Sequence, residues 1–173
     1  MNDVKKGNEF IQSLLKQKGI HPTVGRAPRS FRRIFDGKTF NSSTMTRIKS
    51  ADHLKGPNCY HWEEELLQTR TGDFLLRGEG QPLSPWGAKI HDTQDLTRGY
   101  ALIPMVKNDI VKWFEARSIE IDDEELAELF SSPKEANLLF RLPYALARKL
   151  SSAAATRHTT PQEIVQRLLE QHL

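Results

Sequence analysis

At 173 residues, 38% hydrophobic and 27% charged, the chain is too polar for one compact core throughout, and two modest cores joined by polar segments fit it better. Its 25 basic and 22 acidic residues nearly cancel, so mean charge excludes neither nucleic acid nor protein as a partner. The single cysteine, Cys59, excludes an internal disulfide framework. No apolar run is long enough to span a membrane and no secretory pattern opens the chain, so a cytoplasmic protein without a membrane partner is expected.

Asn8 to Lys18 predicts a short amphipathic helix, with Phe10, Ile11, Leu14 and Leu15 on one side and Gly19 as its stop. So short a helix must dock on something else. A basic segment follows, with His21, Arg26, Arg29, Arg32 and Arg33 and no acid between Gly19 and Ile34. It reads as an arm that follows a phosphate backbone or enters a minor groove. A solvated linker, or one paired with this chain's own acidic stretch, is the plainer alternative.

From Phe35 the texture changes. Gly37 to Phe40 reads as an edge strand and Thr44 to Lys49 as a second short element. Tyr60 to Thr69 and Phe74 to Arg77 read as two strands joined by a turn at Arg70-Thr71-Gly72-Asp73. Gly78 to Gly87, opening on Gly78-Glu79-Gly80, reads as a loop: its central glutamate repels phosphate and no lysine-serine end follows. Tyr100 to Ile103 closes the small sheet, with Pro104 as its end. Cys59, His53, His61 and His91 match no zinc spacing. Of Glu63, Glu64 and Glu65 only the outer two share a strand face, and a charge-protected solvated edge is expected of the run. Trp62, Trp86 and Trp113 are expected as core anchors. With no nucleophile–base pair or metal set to assemble, neither enzymatic activity nor a cofactor is expected.

This middle part carries a resemblance. Trp62-Glu63-Glu64-Glu65-Leu66-Leu67, then Thr69, Gly72, Phe74, Leu75 and Gly78-Glu79-Gly80, is similar to a small β-rich module in proteins of phages, plasmids and conjugative elements. Those relatives place a strand ending Ile-Ile-Pro before an acidic helix, as Leu102-Ile103-Pro104 stands here. The likeness spans about Gly37 to Arg117 and implies a mobile-element context, not a chemistry. Gln81 stands where relatives tend to have a further glycine.

Met105 to Arg117 predicts a helix whose apolar face is Val106, Ile110, Val111, Trp113 and Phe114. Glu120 to Phe130 predicts a short acidic helix capped by Asp122 or Asp123, with Leu126, Leu129 and Phe130 on its apolar side. Phosphate mimicry or a basic partner is its functional reading; a capped surface helix that neutralises the arm is the plainer one. Ser131-Ser132-Pro133-Lys134 is the clearest linker. The organisation expected is a helix and basic arm over 1–34, a β-rich α+β module over 35–130 and a third unit over 135–173.

In that third unit an apolar run, Leu138 to Leu142, stops at Pro143, which suits a strand-to-helix switch. Leu146, Leu150 and Ala153 then recur at helical spacing, beside Ala147 and Ala154, until Arg157-His158-Thr159. Thr160, Pro161 and Glu163 form a capping box, and the helix after it is expected to bury Ile164, Val165, Leu168 and Leu169. This order resembles the ribbon-helix-helix unit of repressors and antitoxins, chiefly in Phe140-Arg141-Leu142-Pro143 and Thr160-Pro161-Gln162-Glu163-Ile164.

The resemblance implies a homodimer whose paired strands lie in the major groove of double-stranded DNA. With Leu138, Phe140 and Leu142 turned inward, Asn137, Leu139 and Arg141 face outward, Arg141 toward guanine and Asn137 toward adenine. Leu139 departs from the family, which usually has a polar residue there. Amides near Thr160 and Gln162 would hold a phosphate, with Arg148, Lys149 and Arg157 adding sequence-blind contacts. The fold class expected is α+β: a small antiparallel sheet with packed helices plus a ribbon-helix-helix dimerisation unit. The function expected is a DNA-binding autoregulator of a mobile element. The alternative is a protein-binding inhibitor of a host defence system, anti-CRISPR-like or anti-restriction, in which the unit only dimerises.

Overall fold

The computed structural model describes residues 2–91, 93, 95–131, 143–156 and 159–172. The chain is of mixed α+β class and divides into two units, Met1–Ala136 and Asn137–Leu173. In the first, α1 (Asn2–Lys18) is followed by β1 (Thr23–Val24), β2 (Arg32–Phe35), β3 (Lys38–Asn41), β4 (Thr46–His53), β5 (Trp62–Gln68) and β6 (Phe74–Gly80). Then come β7 (Ala88–Lys89), β8 (Leu96–Thr97), β9 (Gly99–Met105), α2 (Lys107–Arg117) and α3 (Asp123–Phe130). The second unit holds α4 (Tyr144–Thr156) and α5 (Pro161–His172).

A five-stranded antiparallel sheet, ordered β1-β9-β6-β5-β4, carries the first unit, and β2–β3 and β7–β8 form two small ribbons. Register assigns the two faces, because side chains alternate along each strand. On one face the cross-strand rows are Glu64–Gly78–Ala101, Leu66–Leu76–Ile103 and Gln68–Phe74–Met105. The helices cover this face: Ile11, Leu14 and Leu15 of α1 and Ile110, Trp113 and Phe114 of α2 join the main core, with Leu126, Leu129 and Phe130 of α3 at its margin. On the other face Leu67, Leu75 and Leu102 pack with Phe31, just before β2, and Phe40 of β3.

Local chemistry sets the ends of these elements. Gly19, at φ +63°, stops α1, with Gly19 N–H donating to Lys16 O and Ile20 N–H to Leu15 O, a Schellman closure. Asp122 caps α3 by accepting the Glu125 N–H at 2.7 Å. The expected acidic helix is thus present, tied to the edge strand by Lys49 Nζ to Glu125 Oε1 at 2.6 Å.

Three readings of the sheet are corrected. Gly78-Glu79-Gly80 is not a loop but the end of β6, paired with Glu64, Glu63 and Trp62 of β5. Glycine suits it because a Cβ at Gly78 would run into the Trp86 indole, and one at Gly80 into Ser84. Pro104 does not end β9 but lies within it, opposite Leu75. It is tolerated because β1 reaches only Gly99 and Tyr100, so no strand needs an N–H from Pro104 on that side. The segment after His21 is not all arm: Arg32 and Arg33 open β2, which turns into β3 through Asp36-Gly37, both at positive φ (+48° and +77°).

In the second unit α5 starts at Pro161, as the capping box predicts. The expected strand over Leu138 to Leu142 lies outside the described residues.

Candidate functional site

The basic segment is pinned at three points and exposed between them. Ala27 is buried and donates its N–H to Glu79 Oε2 at 2.7 Å, Phe31 is buried and donates its N–H to Ser42 Oγ at 2.9 Å, and Phe40 returns into the core. Arg26, Arg29, Arg32 and Arg33 remain in solvent on the intervening chain, and none makes an ion pair with a described residue. The acidic helix does not neutralise this arm, since its Glu125 holds Lys49. Lys38, at the tip of the ribbon, is held by Asp73, and that contact lifts its ammonium above the ordinary lysine value. What the geometry provides is an exposed segment leading into a two-stranded ribbon, with guanidinium groups that make no ion pair among the described residues, suited to sequence-blind phosphate contacts.

The C-terminal residues are placed in part. Thr160 Oγ1 accepts the Glu163 N–H, and the Glu163 carboxylate accepts the Thr160 N–H, both at 3.2 Å. Thr159 Oγ1 donates to the same carboxylate and, together with the Thr160 amide, holds Glu163 below its usual range. Of the first three residues of α5, only Gln162 has an N–H that neither the box nor proline's ring removes, so a phosphate at this helix start has one amide to use. Arg148 and Lys149 are exposed on α4. Asn137, Leu139, Arg141 and Arg157 lie outside the described residues.

The burial expected of α5 is only partly met: Ile164 is buried and Val165 partly so, while Leu168 is 49% exposed. On α4 Tyr144 is 78% and Leu146 51% exposed, and Ala154 is buried. Two short helices cannot cover their own apolar faces.

The glutamate run behaves contrary to expectation. β5 lies between β4 and β6, not at an edge, and Glu64 is 1% exposed. Its carboxylate accepts Trp86 Nε1–H at 3.0 Å, Trp113 Nε1–H at 2.7 Å and Arg117 Nε–H at 2.8 Å, and forms a close second contact with Arg117 Nη2. Arg117 is equally enclosed: its guanidinium lies 3.9 Å from the Trp62 ring centroid, Nη1 donates to Asn8 Oδ1 at 3.2 Å, and Gly7 leaves it room. Such a pair is tolerated because both carboxylate oxygens and all three guanidinium nitrogens find partners, with the bidentate fork giving the strongest hydrogen bonds. The three tryptophans are core residues, as expected, and two of them also serve this carboxylate. The alternation of β5 contained the signal, since Trp62, Glu64 and Leu66 share a face.

A half-buried pair joins Glu79 to Arg98, whose Nη2 donates to Glu79 Oε1 at 2.7 Å while the Ala27 amide takes Oε2. It ties the basic segment to the sheet. Among the described residues no three His, Cys, Asp or Glu side chains converge as a metal site, and no helix is long and apolar enough to cross a membrane. His61 Nε2 lies 3.0 Å from Gly56 O and His53 stacks on Trp62. No protein-family model, curated protein or solved structure matches the chain.

Proposed function

We propose that the protein is a homodimeric DNA-binding regulator, a binding protein and not an enzyme. The observation that carries this reading is the incomplete helix pair: α4 and the Thr160–Glu163-capped α5 are well formed, yet leave Tyr144, Leu146 and Leu168 in solvent. A second copy would close over that face, and the apolar run before Pro143 would pair across the two-fold as a ribbon. Arg141 and Asn137 would read bases with Leu139 between them, and Arg148 and Arg157 would contact phosphate. The segment and ribbon carrying Arg26, Arg29, Arg32 and Arg33 would add salt-sensitive affinity.

The test is fluorescence anisotropy on DNA from just upstream of the gene, beside a scrambled duplex of equal composition, across a salt series. Tighter binding to the cognate duplex is expected, and Arg141→Ala should remove about 1–3 kcal/mol of that discrimination. Replacing Arg32 or Arg33 with alanine should weaken both duplexes alike and lower the salt slope by about 1 each. Equal binding of both duplexes by the wild-type protein would overturn a specific regulator.

One feature favours the second reading, a protein-binding inhibitor of a host defence system dimerised through α4 and α5. Between α2 and α3 a shallow groove of about 760 Å³ combines Phe114, Ile121 and Leu126 with Glu115, Glu120 and Glu125. Apolar floor and acidic rim suit a basic amphipathic segment of another protein. Absence of any DNA shift, with a Leu126→Arg-sensitive protein complex, would select this reading.

A further inference from the structure

We propose that the β2–β3 ribbon bends DNA, with Ile34 entering the minor groove as a wedge between two base pairs and the arginines around it holding the phosphates. This activity rests on the DNA-binding reading proposed above and adds bending to it. Register gives the ribbon two faces. On one, Arg33 stands opposite Phe40 and Phe35 opposite Lys38; on the other, Arg32 stands opposite Asn41 and Ile34 opposite Thr39. Phe40 is buried and Phe35 packs at the margin of the same core, so the first face is turned toward the sheet. The second is turned to solvent. Ile34 on it is 68% exposed, more than any other large apolar side chain described in the first unit.

Its surroundings set the class of partner. Arg32 stands two residues away on the same face, roughly 6–7 Å along the strand, and Arg33 adjoins it. Neither makes an ion pair with a described residue, and Arg33 Nη1 donates only to the neighbouring Arg32 O, at 3.5 Å. Gly19 to Phe35 holds no acid, and Asp36 stands in the turn beside Lys38. A bare aliphatic side chain among such guanidinium groups asks for a partner that is anionic at its rim and apolar within. The minor groove is such a partner, with phosphates along both edges and stacked bases between them, and apolar wedges inserted there kink the duplex by about 20–90°. An anionic bilayer has the same two layers, but one isoleucine is a small anchor where stable attachment takes two signals. A wedge must also be stiff. Ile34 is β-branched, which restricts its χ1. The ribbon's base is closed by Ser42 N–H donating to Phe31 O at 3.0 Å and Phe31 N–H to Ser42 Oγ at 2.9 Å. Its tip is held by the Asp36-Gly37 turn and the Lys38–Asp73 pair.

The test uses the full-length protein and two short duplexes with a donor and an acceptor dye at their ends. One duplex is fully paired and the other carries a central mismatch, which lowers the cost of unstacking. Energy transfer reads the bend and anisotropy the affinity. The wild-type protein should bring the ends of both duplexes closer and bind the mismatched one roughly tenfold more tightly. Ile34→Ala and Ile34→Thr, the second of which keeps a β-branched residue in the strand, should still bind the paired duplex. Both should leave it straight and lose the preference for the mismatch. A straight duplex under the wild-type protein, or a bend that both substitutions leave intact, would overturn the wedge while the DNA-binding reading stands. No binding to either duplex would overturn both. Ile34-dependent binding to phosphatidylserine vesicles, with the duplexes bound but unbent, would overturn it in favour of a lipid surface.

Discussion

In the unit ending at Ala136 even a carboxylate at the centre of the sheet is supplied with tryptophan and arginine donors, and both faces of the sheet are covered. In the unit from Asn137 onward, among the described residues, Ala154 and Ile164 are the buried hydrophobics, and larger apolar side chains stand in solvent. Helix α1, equally short of stability by itself, docks Ile11, Leu14 and Leu15 against the sheet. Helices α4 and α5 have the same amphipathic design, yet among the described residues Tyr144, Leu146 and Leu168 stay exposed. The difference teaches where to look for partners: a surface is informative when its pattern asks for burial that the chain does not provide.

The comparison breaks most sharply at Arg117. Arg117→Ala leaves the buried Glu64 charge with two indole donors and no counter-ion, and removal of one member of such a pair costs about 3–5 kcal/mol. Urea denaturation should show a lower midpoint with an unchanged slope. Lys49→Ala, which breaks the more exposed pair with Glu125, should cost at most about 1 kcal/mol. Similar losses for the two variants would mean that the enclosed network does not hold the first unit together.

A smaller effect is expected where the second unit is unfinished. Leu168→Asp places a charge on the face proposed to meet a second copy. Sedimentation velocity should show dimer dissociation shifted by at least roughly tenfold, about 1.4 kcal/mol, with unfolding of the first unit unchanged. A wild-type monomer, or a dimer indifferent to Leu168→Asp, would remove the helix pair from the interface.

Legibility in the sequence followed the range of the forces involved. Gly19, the Asp122 cap and the Thr160–Glu163 box act within a few residues, and each stands where local chemistry puts it. Asp36-Gly37 was equally local and is the strongest short-range hairpin signal, yet the run of arginines before it pointed to an extended arm. Ser118 closes α2 at φ +51°, a position where glycine is the usual mark, so nothing in its identity announced it. The burial of Glu64 is hidden in the sequence for a different reason. Three successive glutamates look solvated until Gly78 is known to be Glu64's cross-strand neighbour, with Ala101 beyond it, leaving space for Trp86 above them. That information lies in the pairing of β5, β6 and β9, a long-range fact. The Glu79–Arg98 pair depends on the same register.

The smallest effect sharpens the comparison from the other side, since a cap acts within α5 whether or not a partner is present. Thr159 and the Thr160 amide hold the Glu163 carboxyl below its ordinary value of 4.5. A carboxyl lowered in the folded state binds its proton less readily there than in the unfolded chain, so folding is favoured while it is ionised. This contribution is complete above the ordinary glutamate value and is lost as pH falls through the lowered one. Helical circular dichroism of the wild-type protein and of Glu163→Gln, followed from neutral pH into acid, should therefore differ at neutral pH and converge once both side chains are uncharged. The thermal midpoint of the first unit should differ little between the two proteins at either pH. A difference that persists unchanged into acid would mean that the side chain's hydrogen bonds, and not its charge at the positive end of the helix, hold the start of α5.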